Sequence, residues 1–108
     1  MPPEAMTFGQ AISKARKDLG MSQKELAARV QKEDGSGSIS PQYLNDIEHD
    51  RRNPSSGHLI GQFASILNIP EDYLFALAGR LPDDLRSQAT DPDKVVAAFA
   101  NFRKTLKK

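Results

Sequence analysis

Gln42, Asn45 and Asp46, with His49, fall at i, i+3, i+4 and i+7, so a helix over 41–49 carries all four on one face. The side chains have a chemistry in common. A Gln or Asn amide can pair bidentately with the edge of adenine, and an Asp can accept from the cytosine amino group. A basic loop, Arg51-Arg52-Asn53-Pro54, follows at once. On an isolated helix such a face is simply solvated, and arginines in a loop serve solubility. The neighbouring elements decide between the two readings. Other chemistry has little to start from. Cysteine is absent, which removes disulfides and thiolate ligands, and His49 and His58 lie nine positions apart without a carboxylate frame. No glycine-rich phosphate loop, nucleophile elbow or acid-base carboxylate pair is present, so neither an enzyme nor a cofactor or metal is expected.

The elements that must position this face are helical. Thr7 caps a first helix over about 7–19, with Phe8, Ile12, Ala15 and Leu19 on one apolar stripe, and Gly20 ends it. Ser22 caps a second, where Glu25 completes a capping box and Leu26, Ala27 and Val30 turn inward. Residues 31–38 have turn composition and form a solvated loop. Ser40 and Pro41 restart a helix whose Leu44 and Ile47 point to the core. A fourth helix carries Leu59, Ile60, Phe63, Ala64 and Leu67, and a fifth, opened by Pro70, carries Tyr73, Leu74 and Leu77 up to Gly79. The expected fold class is all-α: a five-helix domain over 7–79 and a helical extension over 80–108.

In the extension, Leu81-Pro82-Asp83-Asp84-Leu85 begins a short helix, and Asp91 caps a last one reaching Leu106. Val95, Phe99, Phe102 and Leu106 recur there at i, i+4, i+7 and i+11, a stripe that requires a surface to cover it. Two readings stand: a contact between copies or with a partner protein, and a lid folded onto its own domain.

The segment 8–77 resembles the helix-turn-helix domain of the phage-repressor and Cro family, also called the xenobiotic-response-element or XRE family. The resemblance rests on Gly20-Met21-Ser22-Gln23-Lys24-Glu25-Leu26-Ala27, on Ile39-Ser40 through Ile47-Glu48, on Arg51-Arg52-Asn53-Pro54-Ser55 and on Leu67-Asn68-Ile69-Pro70, in that order and spacing. It implies that the helix over 41–49 lies in a DNA major groove with Gln42, Asn45 and Asp46 at base edges. It further implies phosphate contacts from Gln23, Ser40, Tyr43, Arg51, Arg52 and Asn53, and an internal ion pair between Arg16 and Glu48. The implied protein is a transcriptional regulator, a repressor acting as a homodimer on double-stranded DNA. The alternative is an antitoxin or adaptor that works through its last helix. A resemblance of Leu81-Pro82-Asp83-Asp84-Leu85-Arg86 to regulators found beside zinc metallopeptidases adds a regulatory protease, or a toxin, to the partner classes.

Three features depart from the family pattern. About seven extra residues, 31–37, lie between the second and third helices, Pro41 takes a side-chain donor from the reading helix, and Asp50 stands where glycine is common. Asp tolerates a left-handed turn better than most residues, yet its charge works against a nearby phosphate.

Composition is consistent with these expectations. The 108 residues have 38% hydrophobic and 27% charged side chains, with no apolar run long enough for a membrane span, so no membrane partner is expected. The opening Met1-Pro2-Pro3-Glu4-Ala5 has neither the basic start nor the apolar stretch of a secretory signal, which places the protein in the cytoplasm. The net charge of +1 conceals an uneven spread: residues 94–108 carry five basic side chains and no acidic one. A near-neutral monomer implies modest, salt-sensitive DNA affinity that dimerisation would raise.

Overall fold

Seven helices occur among the described residues, 6–54 and 56–107, of the computed structural model: α1 (Phe8–Asp18), α2 (Gln23–Arg29), α3 (Pro41–Glu48), α4 (Gly57–Leu67), α5 (Glu71–Leu77), α6 (Asp83–Gln88) and α7 (Pro92–Leu106). Local chemistry sets their starts. Thr7 Oγ1 accepts the Gln10 N–H at 3.1 Å while Gln10 Oε1 accepts the Thr7 N–H at 3.0 Å, a reciprocal box. Ser22 and Glu25 repeat the arrangement at α2, and the Ser40 hydroxyl accepts the Tyr43 N–H at 3.0 Å ahead of α3, with Pro41 in the first turn. Asn68, at φ +57°, ends α4 in the left-handed conformation that asparagine tolerates.

The core lies among α1 to α5. Its largest fully buried side chains are Phe63, Phe75, Ile12, Leu26, Leu44, Ile47, Ile60, Leu74 and Val30, each contributing about 1.5–3 kcal/mol by leaving water. Phe8 meets Phe63 edge to face, with centroids 6.1 Å apart, where α1 crosses α4. α3 is wedged between α1 and α2, and α5 closes against α4. A helix gripped on two sides is a rigid platform.

Two core assignments made from periodicity are corrected. Leu19 is 53% exposed, because α1 stops at Asp18 and the inward position one turn after Ile12 is taken by Arg16. On α5 the buried aromatic is Phe75, not Tyr73, which is 47% exposed; the seven-residue helix meets α4 through the adjacent pair Leu74 and Phe75.

The segment 31–38 is largely exposed, as expected of a solvated loop, and is in addition bonded into a hairpin. Gln31 and Ser38 form an antiparallel bridge, with the Lys32 N–H to Gly37 O at 2.8 Å and the Ile39 N–H to Val30 O at 3.0 Å. The base of this hairpin is fastened to α4: Gln62 accepts the Gln31 N–H at 3.2 Å, and the His58 ring bonds the Gln31 carbonyl at 3.0 Å. Its extra residues therefore leave and rejoin the chain without parting α2 from α3.

α6 and α7 contribute no buried residue. Phe99 is 40% exposed and Phe102 and Leu106 more so, while Val95 is half-buried, so most of the α7 stripe stands open in the single chain. Among the described residues, no helix is long and apolar enough to cross a membrane.

Candidate nucleic-acid interface

The backing of α3 fixes what it can present. Leu44 and Ile47 are completely buried, so rotation of the helix about its axis would expose both to water. Gln42 and His49 consequently stand in solvent, while Asn45 and Asp46 are half-buried. These four share the outward face.

A buried polar chain supports the face from beneath. Arg16 on α1 donates from Nε to Glu48 Oε2 at 2.7 Å and from Nη2 to Glu48 Oε1 at 3.1 Å, and its Nη1 reaches the Met21 carbonyl at 2.8 Å. Gln23 on α2 donates to Glu48 Oε1 at 3.0 Å and to Asn45 Oδ1 at 3.1 Å. Burial works to raise the Glu48 pKa, but the hydrogen bonds from Arg16 and Gln23 and the Arg16 charge outweigh it, holding the carboxyl below its ordinary value. Three helices are thus tied through one carboxylate. The Gln23 amide, assigned to phosphate by resemblance, is occupied by Asn45 and Glu48.

A second, exposed cluster lies at the end of α3. Asp46 Oδ1 accepts from Arg51 Nε at 3.1 Å and from Gln42 Nε2 at 3.2 Å, and Asp46 Oδ2 lies 3.9 Å from Arg52 Nε. The Arg52 guanidinium sits 5.7 Å from the centre of the Tyr43 ring, within cation–π range. Ser40, Tyr43 and Arg52 line one shallow concavity with Lys32 from the hairpin. Asn53 is exposed beyond it. The structure therefore gathers Ser40, Tyr43, Arg51 and Arg52 on the flank of the face holding Gln42, Asn45 and Asp46.

Asp50 has a role that sequence reasoning missed. Its φ of +58° places it in the left-handed turn, and its carboxylate accepts from the Thr7 hydroxyl at 2.5 Å and the Gly9 N–H at 3.0 Å. The charge thereby sits at the N-terminus of α1, where exposed amides and the helix dipole favour an anion. Gly9 is part of the same junction, since a Cβ there would lie 2.6 Å from the Glu48 carbonyl oxygen. Thr7, already identified as a cap, was the only local signal for this contact.

On α7, Phe99, Phe102 and Leu106 are exposed and Val95 is half-buried along the helix. Among the described residues, no group of three or more acidic, histidine or cysteine side chains is arranged to hold a metal ion.

Comparison with known proteins places this arrangement. A helix-turn-helix family model matches residues 12–74, a span running from the middle of α1 into α5. Among curated protein sequences none matches the chain. A solved structure titled as a SinR protein/SinI protein complex shares the fold with a TM-score of 0.51 at 22% sequence identity, covering 94% of this chain and 92% of that one.

Proposed function

The chain belongs to the helix-turn-helix family of XRE-type DNA-binding regulators, and from that premise we propose that it is a sequence-specific repressor that reads an operator through α3. The observation that carries this reading is the outward face of α3: Gln42, Asn45 and Asp46 on a helix locked by Leu44 and Ile47, flanked by Arg51 and Arg52. Gln42 and Asn45 supply amides for base edges. Ser40, Tyr43, Arg51, Arg52 and Asn53 fix the register on phosphates. Asn45 is the terminus of the Arg16–Glu48–Gln23 chain, so its amide is oriented before DNA arrives. Gln23 contributes by holding that orientation, and its position at the start of α2 leaves it beside the phosphate path.

Repression follows from occlusion of a promoter by a twofold dimer on half-sites about one helical turn apart. The dimer contact is assigned to Val95, Phe99, Phe102 and Leu106 on α7, an apolar stripe exposed at Phe99, Phe102 and Leu106 and half-buried at Val95 in the single chain. Selection from a random duplex pool tests the reading. Enrichment of a palindrome supports it, and recovery of unrelated sequences refutes sequence-specific reading. Phe99→Asp separates the dimer from the reader: it is expected to shift the protein to monomer in sedimentation while leaving thermal unfolding of the core unchanged.

The same exposed stripe favours one second reading, an antitoxin or adaptor in which α7 engages a toxin, a regulatory protease or another protein. The structural neighbour is itself titled as a complex of two proteins. Loss of activity on Phe99→Asp with retention on Gln42→Ala and Asn45→Ala would select that reading.

A further inference from the structure

We propose that Asp46 is a positioning residue for the arginine pair rather than a base reader. This deepens the proposed DNA-binding function and rests on it. Asp46 holds the basic loop twice over. Its main-chain carbonyl accepts the N–H of Arg51 at 2.9 Å and of Arg52 at 3.3 Å, and its carboxylate faces the Nε of both side chains. The edge each arginine turns toward Asp46 decides what remains. A guanidinium has five donors in a planar fork, and using Nε inward leaves the Nη groups on the outer edge, the geometry that suits a phosphate.

Tyr43 completes the arrangement by holding Arg52 across its ring at 5.7 Å. The Asp46 side chain is only 22% exposed, at the base of the cluster, whereas Arg51 and Arg52 extend above it at 55% and 63%. Asp46 Oδ1 already receives both Arg51 and Gln42, and Oδ2 faces the Arg52 Nε at 3.9 Å, so both carboxylate oxygens are turned toward the arginine pair. Charge points the same way. A bare carboxylate at this surface would repel phosphate, but one Asp between two Arg leaves the cluster at +1 while removing the side-chain entropy that free arginines lose on binding.

The experiment uses the full chain, an operator enriched by selection and a scrambled duplex, across a salt series, with wild type, D46A, D46N, R51A/R52A and D46A/R51A/R52A. D46A is expected to weaken binding to both duplexes by the same factor, about 5- to 10-fold, and to reduce the salt slope by about 1–2 as phosphate contacts are lost. The preferred base at every operator position stays as in wild type. Without the arginines, the additional D46A substitution brings no further loss, and removal of the bare carboxylate gives at most a small gain. D46N keeps an acceptor at Oδ1 and restores affinity to within about threefold of wild type.

A change of preferred base in D46A or D46N would overturn the proposal, because an Asn in a reading position exchanges a cytosine partner for adenine. So would an equal loss in the background lacking both arginines, or an unchanged D46A. Thermal unfolding identifies any variant that fails to fold, and D46N then carries the test. If wild type shows no sequence preference, the operator-reading function fails, while the D46A salt slope on any duplex still decides whether Asp46 acts through Arg51 and Arg52.

Discussion

The two ion-pair clusters that flank α3 use the same functional groups in opposite surroundings. Glu48 meets Arg16 among buried side chains, with Gln23 and the Met21 carbonyl completing the hydrogen bonding. Asp46 meets Arg51 and Arg52 at the surface, where the arginines are more than half exposed. In the interior an unpaired charge has nowhere to be solvated, so each partner there depends on the other. At the surface water replaces whatever is lost, and the pair contributes little to folding. The buried cluster therefore belongs to the fold, while the exposed one is available for a ligand.

Substitutions sharpen or break that contrast. Glu48→Ala strands the Arg16 guanidinium and removes the tie between α1, α2 and α3; it is expected to lower stability by about 3–5 kcal/mol in urea unfolding. A loss below about 1 kcal/mol would place the pair in the same class as Asp46 and Arg51. Glu48→Gln keeps the shape and removes the titration. Because the folded pKa of Glu48 lies below its ordinary value of 4.5, its charge stabilises fully above that value and ceases to as the pH falls through the lower folded value. Wild type should thus lose stability more steeply than Glu48→Gln below about pH 4.5, and parallel acid unfolding curves would contradict the linkage.

Smaller effects follow at the flank. Ser40→Ala removes the cap on α3 and is expected to cost about 1 kcal/mol, read from the shift in Tm. Arg51→Ala should change stability by less than about 0.5 kcal/mol and yet weaken DNA binding with a shallower salt dependence. A stability loss comparable to that of Ser40→Ala would mean that the exposed cluster also supports the fold.

What was legible in the sequence shares a physical basis. The caps at Thr7, Ser22, Ser40 and Asp91 involve residues two or three positions apart, so a local pattern contains the whole interaction. The buried faces of α2, α3 and α4 were equally accessible, because one-sided burial imposes its period on the residue types. Contacts across the chain were harder. Nothing near Asp50 indicates that its carboxylate caps α1, 41 residues away from Gly9. The hairpin at 31–38 depends on Gln62 and His58 of α4. The exchange of Tyr73 for Phe75 comes from how a seven-residue helix lies on α4, a matter of packing on which two turns of periodicity say little.

The outward face of α3 was legible by residue type but not by commitment. Spacing put Gln42, Asn45 and Asp46 together, whereas only the structure separates them by partner. Asn45 is held by Gln23, Asp46 is occupied by Arg51 and Gln42, and Gln42 is the most exposed of the three. Gln42 keeps its Oε1 and one amide N–H beyond the bond to Asp46, the donor and acceptor that pairing with adenine requires.

The most direct test is the affinity of wild type and Gln42→Ala for the selected operator and for scrambled duplex at the same salt concentration. A reading α3 predicts that Gln42→Ala loses about 10- to 100-fold on the operator, in keeping with about 1–3 kcal/mol for one bidentate base contact, while binding to scrambled DNA is unchanged. Equal losses on both duplexes, or none on either, would contradict the assignment of α3 as the element that reads sequence.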